Sequence, residues 1–139
     1  MPTEHTGRLI DHLHLRVRDL AASRRFYRAA LEAIGRLDAF GEAPGCFYAD
    51  ELYVDEADGT PLRVSHVHLA FQARSQAEVQ RFHAMTLAAG GRDNGAPGPL
   101  HYHPGYYGAF VLDPDGNNIE AVWHGPTTRS ADSVEVTRL

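Results

Sequence analysis

Histidines recur in this chain at a spacing that suits a metal site. There are nine of them among 139 residues, and four lie in two similar segments that begin at His12 and His66 (66 − 12 = 54). In both segments, polar or small residues alternate with apolar ones, which is typical of a β-strand with one buried face. His12 with His14, and His66 with His68, then lie on the faces that point away from the core. Imidazole is the commonest protein ligand for metals, so these faces are candidate metal sites.

A third candidate ligand follows near the end of the chain. Glu120 lies in the alternating segment Asn118–Trp123, and a carboxylate within an apolar strand is costly unless it is paired or bound to a metal. If two halves of the chain pair by pseudo-symmetry around one cavity, we expect His12, His66 and Glu120 to meet there. Two neutral imidazoles and one carboxylate bind a divalent first-row metal and leave positions open for a substrate.

The elements that must position these residues also repeat. Asp19 is a predicted N-cap for a helix over Leu20–Ile34, and Ser75 for a helix from about Gln76 to Ala89. The spacing of the two caps (75 − 19 = 56) exceeds that of the histidines, which predicts a longer strand–helix turn in the second half. Each helix is followed by three predicted strands: Arg36–Phe40, Cys46–Ala49 and Leu52–Val54, then a short piece near Arg92, Tyr106–Leu112 and Asn118–Trp123. Each half is thus predicted to be strand–helix–strand–strand–strand.

Two connections in the second half carry distinct signals. The run Asp113-Pro114-Asp115-Gly116 predicts a tight hairpin turn between the last two strands. The stretch from Asn94 to Gly105 is rich in glycine and proline and contains His101, Tyr102 and His103. We therefore interpret it as a long loop of the kind that often serves as a functional lid.

The composition limits the class of protein. The net charge is −5 without a basic stripe, which argues against nucleic-acid binding, and no apolar run approaches the ~20 residues of a membrane helix. The N-terminus has no signal-peptide pattern and Cys46 is the single cysteine, so we expect a cytoplasmic protein without an internal disulfide. All 13 basic residues are arginines, which excludes Schiff-base chemistry by lysine.

The chain resembles the vicinal oxygen chelate superfamily, which includes glyoxalase I, extradiol dioxygenases, and fosfomycin and bleomycin resistance proteins. The resemblance is carried by the segments His12–Val17, Asp19–Tyr27, His66–Phe71 and Asp113–Glu120. It implies an α+β fold of two βαβββ modules that form a cupped mixed sheet with the helices on the outside. The single domain is then expected at residues 1–126, with module one at about 8–58 and module two at about 62–125. A polar C-terminal tail, residues 127–139, follows it.

The resemblance also assigns roles within the site. It implies one divalent metal ion (Fe, Mn, Zn or Ni) on His12, His66 and Glu120, with Glu51 as a candidate fourth ligand. Glu120 is also expected to act as a catalytic base, and His101 or His103 to shuttle a proton. The expected substrate contacts are His14, His68, Tyr53, Tyr106 and Tyr107.

The function that this resemblance implies is a metal-dependent, glyoxalase-like lyase or isomerase. It would act on a small oxygenated molecule through bidentate metal chelation and enolate stabilisation. One alternative is an extradiol-type dioxygenase, although the tyrosine that such enzymes place ten residues before the glutamate is Phe110 here (120 − 10). The other is a resistance protein that binds a drug or another ligand without chemistry. A homodimer is expected, with the site formed either within one chain or between two.

Overall fold

Two four-stranded sheets form the body of the molecule. The structure, a computed structural model, describes residues 3–139. The first part contains β1 (Thr3–Thr6), β2 (Leu13–Val17), α1 (Leu20–Ala33), β3 (Phe40–Ala43), β4 (Cys46–Ala49) and β5 (Leu52–Glu56). The second contains β6 (His68–Gln72), α2 (Gln76–Ala88), β7 (Arg92–Pro99), β8 (Tyr107–Leu112), β9 (Asn118–Trp123) and β10 (Val134–Thr137).

The two sheets share one topology. Their strand orders are β2-β5-β4-β3 and β6-β9-β8-β7. In each sheet the first strand pairs in parallel with the last strand of its module, and the other pairs are antiparallel. The predicted α+β fold of two βαβββ modules is therefore confirmed.

Both helices begin at the predicted caps. The Asp19 side chain accepts a hydrogen bond from the Ala22 backbone amide at 3.1 Å, and Ser75 Oγ accepts one from the Glu78 amide at 3.1 Å. These bonds satisfy amides that the first helical turn leaves without partners. Each helix ends one residue before its predicted end.

A single core joins the two modules. Phe26 of α1 is fully buried and lies against the second module. A Cβ added to Gly91 would be 2.8 Å from the Phe26 ring and 2.5 Å from Val111, so this glycine allows the close contact. Arg81 Nε donates a hydrogen bond at 2.7 Å to the Ala33 carbonyl, which lies at the end of α1. Burying a side chain such as Phe26 contributes about 1.5–3 kcal/mol, so the modules stabilise each other.

The sheet edges also meet. The Ser65 amide donates to the Arg16 carbonyl at 2.9 Å, and the Arg16 amide donates to Ser65 Oγ at 2.9 Å. Ser65 leads into β6, while Arg16 lies in β2. The hydrogen bonds that join the two sheets here are therefore made by β2 and by the residue segment before β6, rather than by β6 itself.

Two predicted segments differ from the structure. Residues Leu37–Ala39 form a short 3₁₀ helix, and the strand predicted at Arg36–Phe40 begins only at Phe40. The predicted loop from Asn94 is instead largely strand, because β7 continues to Pro99 with register shifts between Asp93 and Gly98. Glycine and proline are tolerated there since β7 is an edge strand with bulges.

The C-terminal tail is not a simple extension. β10 pairs with β1 in a two-stranded antiparallel ribbon, which we call the terminal ribbon (residues 3–6 and 134–137). His5 Nδ1 lies 2.8 Å from Ser133 Oγ, and Arg138 forms an ion pair with Glu4 at 2.9 Å. Within residues 3–139, neither helix has the length and apolar character needed to cross a membrane.

Candidate functional site

Glu120 is the buried acidic centre of the second module. It lies on β9, and only 2% of its surface is exposed. Its Oε1 lies 2.9 Å from His68 Nε2, and its Oε2 accepts a hydrogen bond from the Tyr106 hydroxyl. Both carboxylate oxygens therefore have partners, as burial of a charged group requires.

Tyr106 reaches Glu120 because the residue between them has no side chain. A Cβ added to Gly108 would lie 3.0 Å from Glu120 Oε2 and 3.3 Å from Tyr106 Cε1. Burial raises the pKa of Tyr106, and the neighbouring Glu120 carboxylate raises it further. The phenol therefore keeps its proton and donates it to the carboxylate in a hydrogen bond.

The strand registers place His68, rather than His66, beside Glu120. In the first module His14 lies opposite Tyr53, and in the second Ala70 lies opposite Glu120. If Tyr53 and Glu120 are equivalent, the offset between the strands (70 − 14 = 56) is the same as the spacing of the helix caps. His12 then corresponds to His68 (12 + 56).

The longer turn expected in the second half is therefore not needed to explain the spacing. Repetition of the letters His-x-His made His66 the apparent equivalent of His12. The structure instead places His66 before the first residue of β6, where it is exposed. Counting from the N-caps, rather than matching letters, is the sequence signal that identifies His68.

A buried turn holds these two strands in place. The Asp113 carboxylate accepts hydrogen bonds from the Asn117 amide at 2.8 Å and from the Tyr27 hydroxyl at 2.6 Å. Asn117 Oδ1 in turn accepts a bond from the Val67 amide at 2.8 Å. The predicted turn thereby fixes the start of β6 against the start of β9, and so sets His68 against Glu120.

The corresponding face of the first module carries different groups. His12 lies beside Asp11, with 2.6 Å between Nδ1 and Oδ1, and 69% of its side chain is exposed. His14 Nε2 lies 2.6 Å from Asp55 Oδ1, and the ring meets Tyr53 edge-on at 5.0 Å. Asp11, His12, His14 and Tyr53 border a cavity of about 680 Å³.

The predicted ligand set is not assembled within one chain. Among residues 3–139, no three His, Cys, Asp or Glu side chains are grouped closely enough to hold a metal ion. His68 and Glu120 come together, whereas His12 faces the separate cavity of the first module. Glu51 lines that same cavity, and its pKa is raised by burial and by neighbouring Asp50.

The loop after β7 places its side chains around a second cavity. This cavity, of about 460 Å³, is bordered by His101, His103, Tyr106 and Tyr107 among others. His103 Nε2 lies 2.7 Å from His124 Nδ1, and the two rings stack. Tyr107 and Phe110, which pairs with Glu120, lie on opposite faces of β8. The Tyr107 hydroxyl accepts a hydrogen bond from the Gln80 side chain.

Of the predicted loop and tyrosine contacts, Tyr106 is thus the one that bonds to Glu120. Nothing in the sequence motif pointed to that pairing. The pairing could be inferred from the alternation of side chains along β8. Positions 106, 108 and 110 share one face, and on that face Phe110 lies opposite Glu120.

Comparison with known proteins identifies the family. The family model of the Glyoxalase/Bleomycin resistance protein/Dioxygenase superfamily matches residues 9–121. The chain therefore belongs to this superfamily, whose members typically bind a divalent metal. No curated protein matches the chain.

Solved structures share the fold. A glyoxalase/bleomycin resistance protein from Albidiferax ferrireducens T118 is 25% identical with a TM-score of 0.67, over 83% of this chain and 98% of that one. A glyoxalase-related enzyme from Fulvimarina pelagi is 21% identical with a TM-score of 0.67, over 95% and 99%. The oxidase ChaP-H2 is 19% identical with a TM-score of 0.56, over 92% and 98%. The latter two are less similar in sequence than the first, and they support the fold alone.

Replacing Tyr106 by Phe tests the buried hydrogen bond. We expect Tyr106→Phe to lower the free energy of unfolding by about 1–3 kcal/mol, because Glu120 Oε2 would be left buried without a donor. The measurement is urea unfolding in the presence of a chelator. Tyr102→Phe is the matched control, since Tyr102 is 65% exposed and its loss of a hydroxyl should change little. Equal effects of the two substitutions would contradict this assignment.

Proposed function

We propose that the protein is a metal-dependent, glyoxalase-like enzyme of lyase or isomerase type that acts on a small oxygenated molecule. The observation that supports this most directly is the pairing of a half-exposed His68 with the buried Glu120. Its partner in the ligand set is His12, which the strand register makes equivalent to His68. The proposed ligands are therefore His12, His68 and Glu120, with His68 in the role that the letter pattern gave to His66.

The donor atoms suit a divalent first-row cation. His68 Nε2 and Glu120 Oε1 face each other at 2.9 Å, and both are atoms that bind such metals. The other oxygen of Glu120 is held by Tyr106, an arrangement typical of carboxylates that support a metal. A cation bound there would supply Lewis acidity toward two neighbouring oxygens of the substrate.

The chain's own residues would then handle the proton. Glu120 is the proposed base for a proton next to a substrate carbonyl, because Tyr106 fixes its direction. His68 is half exposed on its side chain and faces the open side of the sheet, where a substrate can reach it. His101 and His103 remain proposed proton carriers, as His103 packs edge-on against Tyr106 with ring centroids 5.4 Å apart.

A second copy of the chain is the proposed source of His12. The described residues of one chain bring together two ligands, while an exposed His12 projects from the other module. A homodimer in which first and second modules face each other would complete two equivalent sites. This arrangement agrees with the dimers that are common in the family.

Metal binding should distinguish His68, the first residue of β6, from His66, which precedes the strand. We expect His68→Ala to weaken binding of Zn²⁺, Mn²⁺ or Ni²⁺ by about tenfold or more, because it removes the imidazole nitrogen. Glu120→Gln should do the same, because it replaces an anionic carboxylate by a neutral amide. His66→Ala is the matched control and should bind nearly as the parent does. Isothermal titration of chelator-treated protein measures this. Loss of affinity with His66→Ala but not with His68→Ala would reverse the assignment.

Mixing two inactive variants tests where the site forms. His12→Ala and Glu120→Gln homodimers should each lack a complete ligand set. After unfolding and refolding together, about a quarter of the sites should regain high-affinity metal binding if ligands come from two chains, since half the dimers are mixed and each has one intact site. A site built within one chain predicts no recovery, because every chain carries one substitution.

Assays of metal-loaded protein can distinguish an isomerase from a dioxygenase. We expect isomerisation of a hemithioacetal without oxygen uptake, as the Lewis-acid role requires no redox change. The second candidate is a dioxygenase, favoured by the two-histidine, one-carboxylate set and by Tyr106, which brings a phenol to the carboxylate that Phe110 faces. Oxygen consumption with catechols would support that candidate. Protein that takes up no divalent metal on titration, and that binds ligands but turns over neither substrate, would indicate the non-catalytic alternative.

A further inference from the structure

The terminal ribbon adds a wall that the family match does not include. The match covers residues 9–121, whereas the ribbon consists of residues 3–6 and 134–137. Residues Thr3–Thr6 border the cavity of about 680 Å³ on the open face of the first module. A volume of this size is within the range of small-molecule sites. The ribbon thus encloses a space that this sheet alone would leave open.

Aromatic rings are presented on the sheet side of this cavity. Tyr48 and Tyr53 lie opposite each other on β4 and β5, and they are 43% and 37% exposed. Tyr53 is held by the ring of His14, which Asp55 fixes at 2.6 Å. Gly41 lies opposite Tyr48, and a Cβ there would approach its ring to 2.5 Å, so the backbone leaves room for this tyrosine. Ordered, exposed rings inside a concavity are typical of a binding surface.

The charges that face the cavity have one sign. Its described lining includes carboxylates of Asp38, Asp50 and Glu51 and no arginine. Glu4, which also borders it, is neutralised by Arg138, and Asp11 is paired with His12. Asp38, Asp50 and Glu51 are the carboxylates of the lining that face no arginine there. A cation is attracted both to these carboxylates and to the faces of tyrosine rings.

We propose that the cavity between the terminal ribbon and the first sheet binds a small aromatic cation, a flat ring that carries a protonated amine. The ring lies against Tyr48 and Tyr53, and the ammonium group faces the carboxylates. This inference rests on the proposed function, because it takes the bound ligand to be the substrate. It deepens that function by giving the substrate an aromatic, cationic part. Cation binding itself requires the first module and the terminal ribbon but neither His68 nor Glu120, so it is measurable without metal.

Tryptamine and indole-3-propionate form a matched pair of probes. They share the indole ring and differ in the sign of the charged group. We expect chelator-treated protein to bind tryptamine about tenfold or more tightly than indole-3-propionate, measured by isothermal titration. Equal affinities, or no detectable binding of tryptamine, would overturn the proposal.

Substitutions in the full chain locate the bound cation. We expect Tyr53→Leu to weaken tryptamine binding about tenfold, and Tyr53→Phe, which keeps the ring, to preserve it. Tyr102→Leu removes an exposed tyrosine outside the cavity and should have no effect. Tyr53→Leu and Tyr53→Phe binding alike would refute the ring's role.

The Glu120→Gln variant separates this inference from the metal site. We expect it to bind tryptamine as the parent does, even though it is expected to lose metal affinity. Tryptamine binding by a parent protein that takes up no divalent metal would support the cavity and contradict the proposed enzyme. Loss of tryptamine binding in Glu120→Gln would show that the carboxylates of the cavity do not suffice for binding and would overturn the inference.

Discussion

The buried carboxylate of Asp113 is the contact on which the positions of the other elements depend. It accepts four hydrogen bonds, from the Tyr27 hydroxyl, the Asp115 amide, and the amide and side chain of Asn117. Each hydrogen bond to such a charged group stabilises by about 1.5–3 kcal/mol. Because Tyr27 belongs to α1 and the turn belongs to the second sheet, this one carboxylate ties the helix of the first module to the strands that carry His68 and Glu120.

As a consequence, the two halves of the proposed site are held to different degrees. In the second module, Glu120 is buried and both of its oxygens are bonded, so its direction is set before any ligand arrives. In the first module, His12 is mostly exposed, and Asp11 is its one hydrogen-bond partner among residues 3–139. A site that joins them therefore draws its geometry from the second module. His12 can adjust to that geometry because so little else constrains it.

The sequence contained most of the local structure. Alternating strands, the Asp19 and Ser75 caps and the turn at Asp113 all depend on neighbours within a few residues, so their patterns are legible in one chain. The His-x-His letters match at a spacing of 54, whereas the helix caps repeat at 56, so matching the letters predicts the wrong register for β6. The pairing of β1 with β10 was missed because the two strands lie far apart along the chain, and no short pattern encodes such a contact.

The candidate site was predictable to the same extent. Glu120 was identified because an acid in an apolar strand demands a partner, and His12 because it begins an amphipathic strand. The identity of that partner depended on which residue crosses the sheet from β8. Tyr106 is the residue that does so, and it can because Gly108 leaves a gap that no motif announces. Spacing predicts the residue types of the proposed site, while side-chain packing decides which of them are in contact.

The duplicated module shows how one backbone can carry two chemistries. In each sheet a glycine opens a gap on the concave face: Gly41 makes room for Tyr48, and Gly108 makes room for Tyr106 and Glu120. With the two modules aligned by their helix caps at an offset of 56, Tyr53 and Glu120 lie at equivalent positions on the central strands. A neutral ring at that position can remain partly exposed, whereas a carboxylate requires donors and draws Tyr106 and His68 around itself. The exchange of one residue type therefore accounts for an open aromatic cup in one module and a closed polar centre in the other.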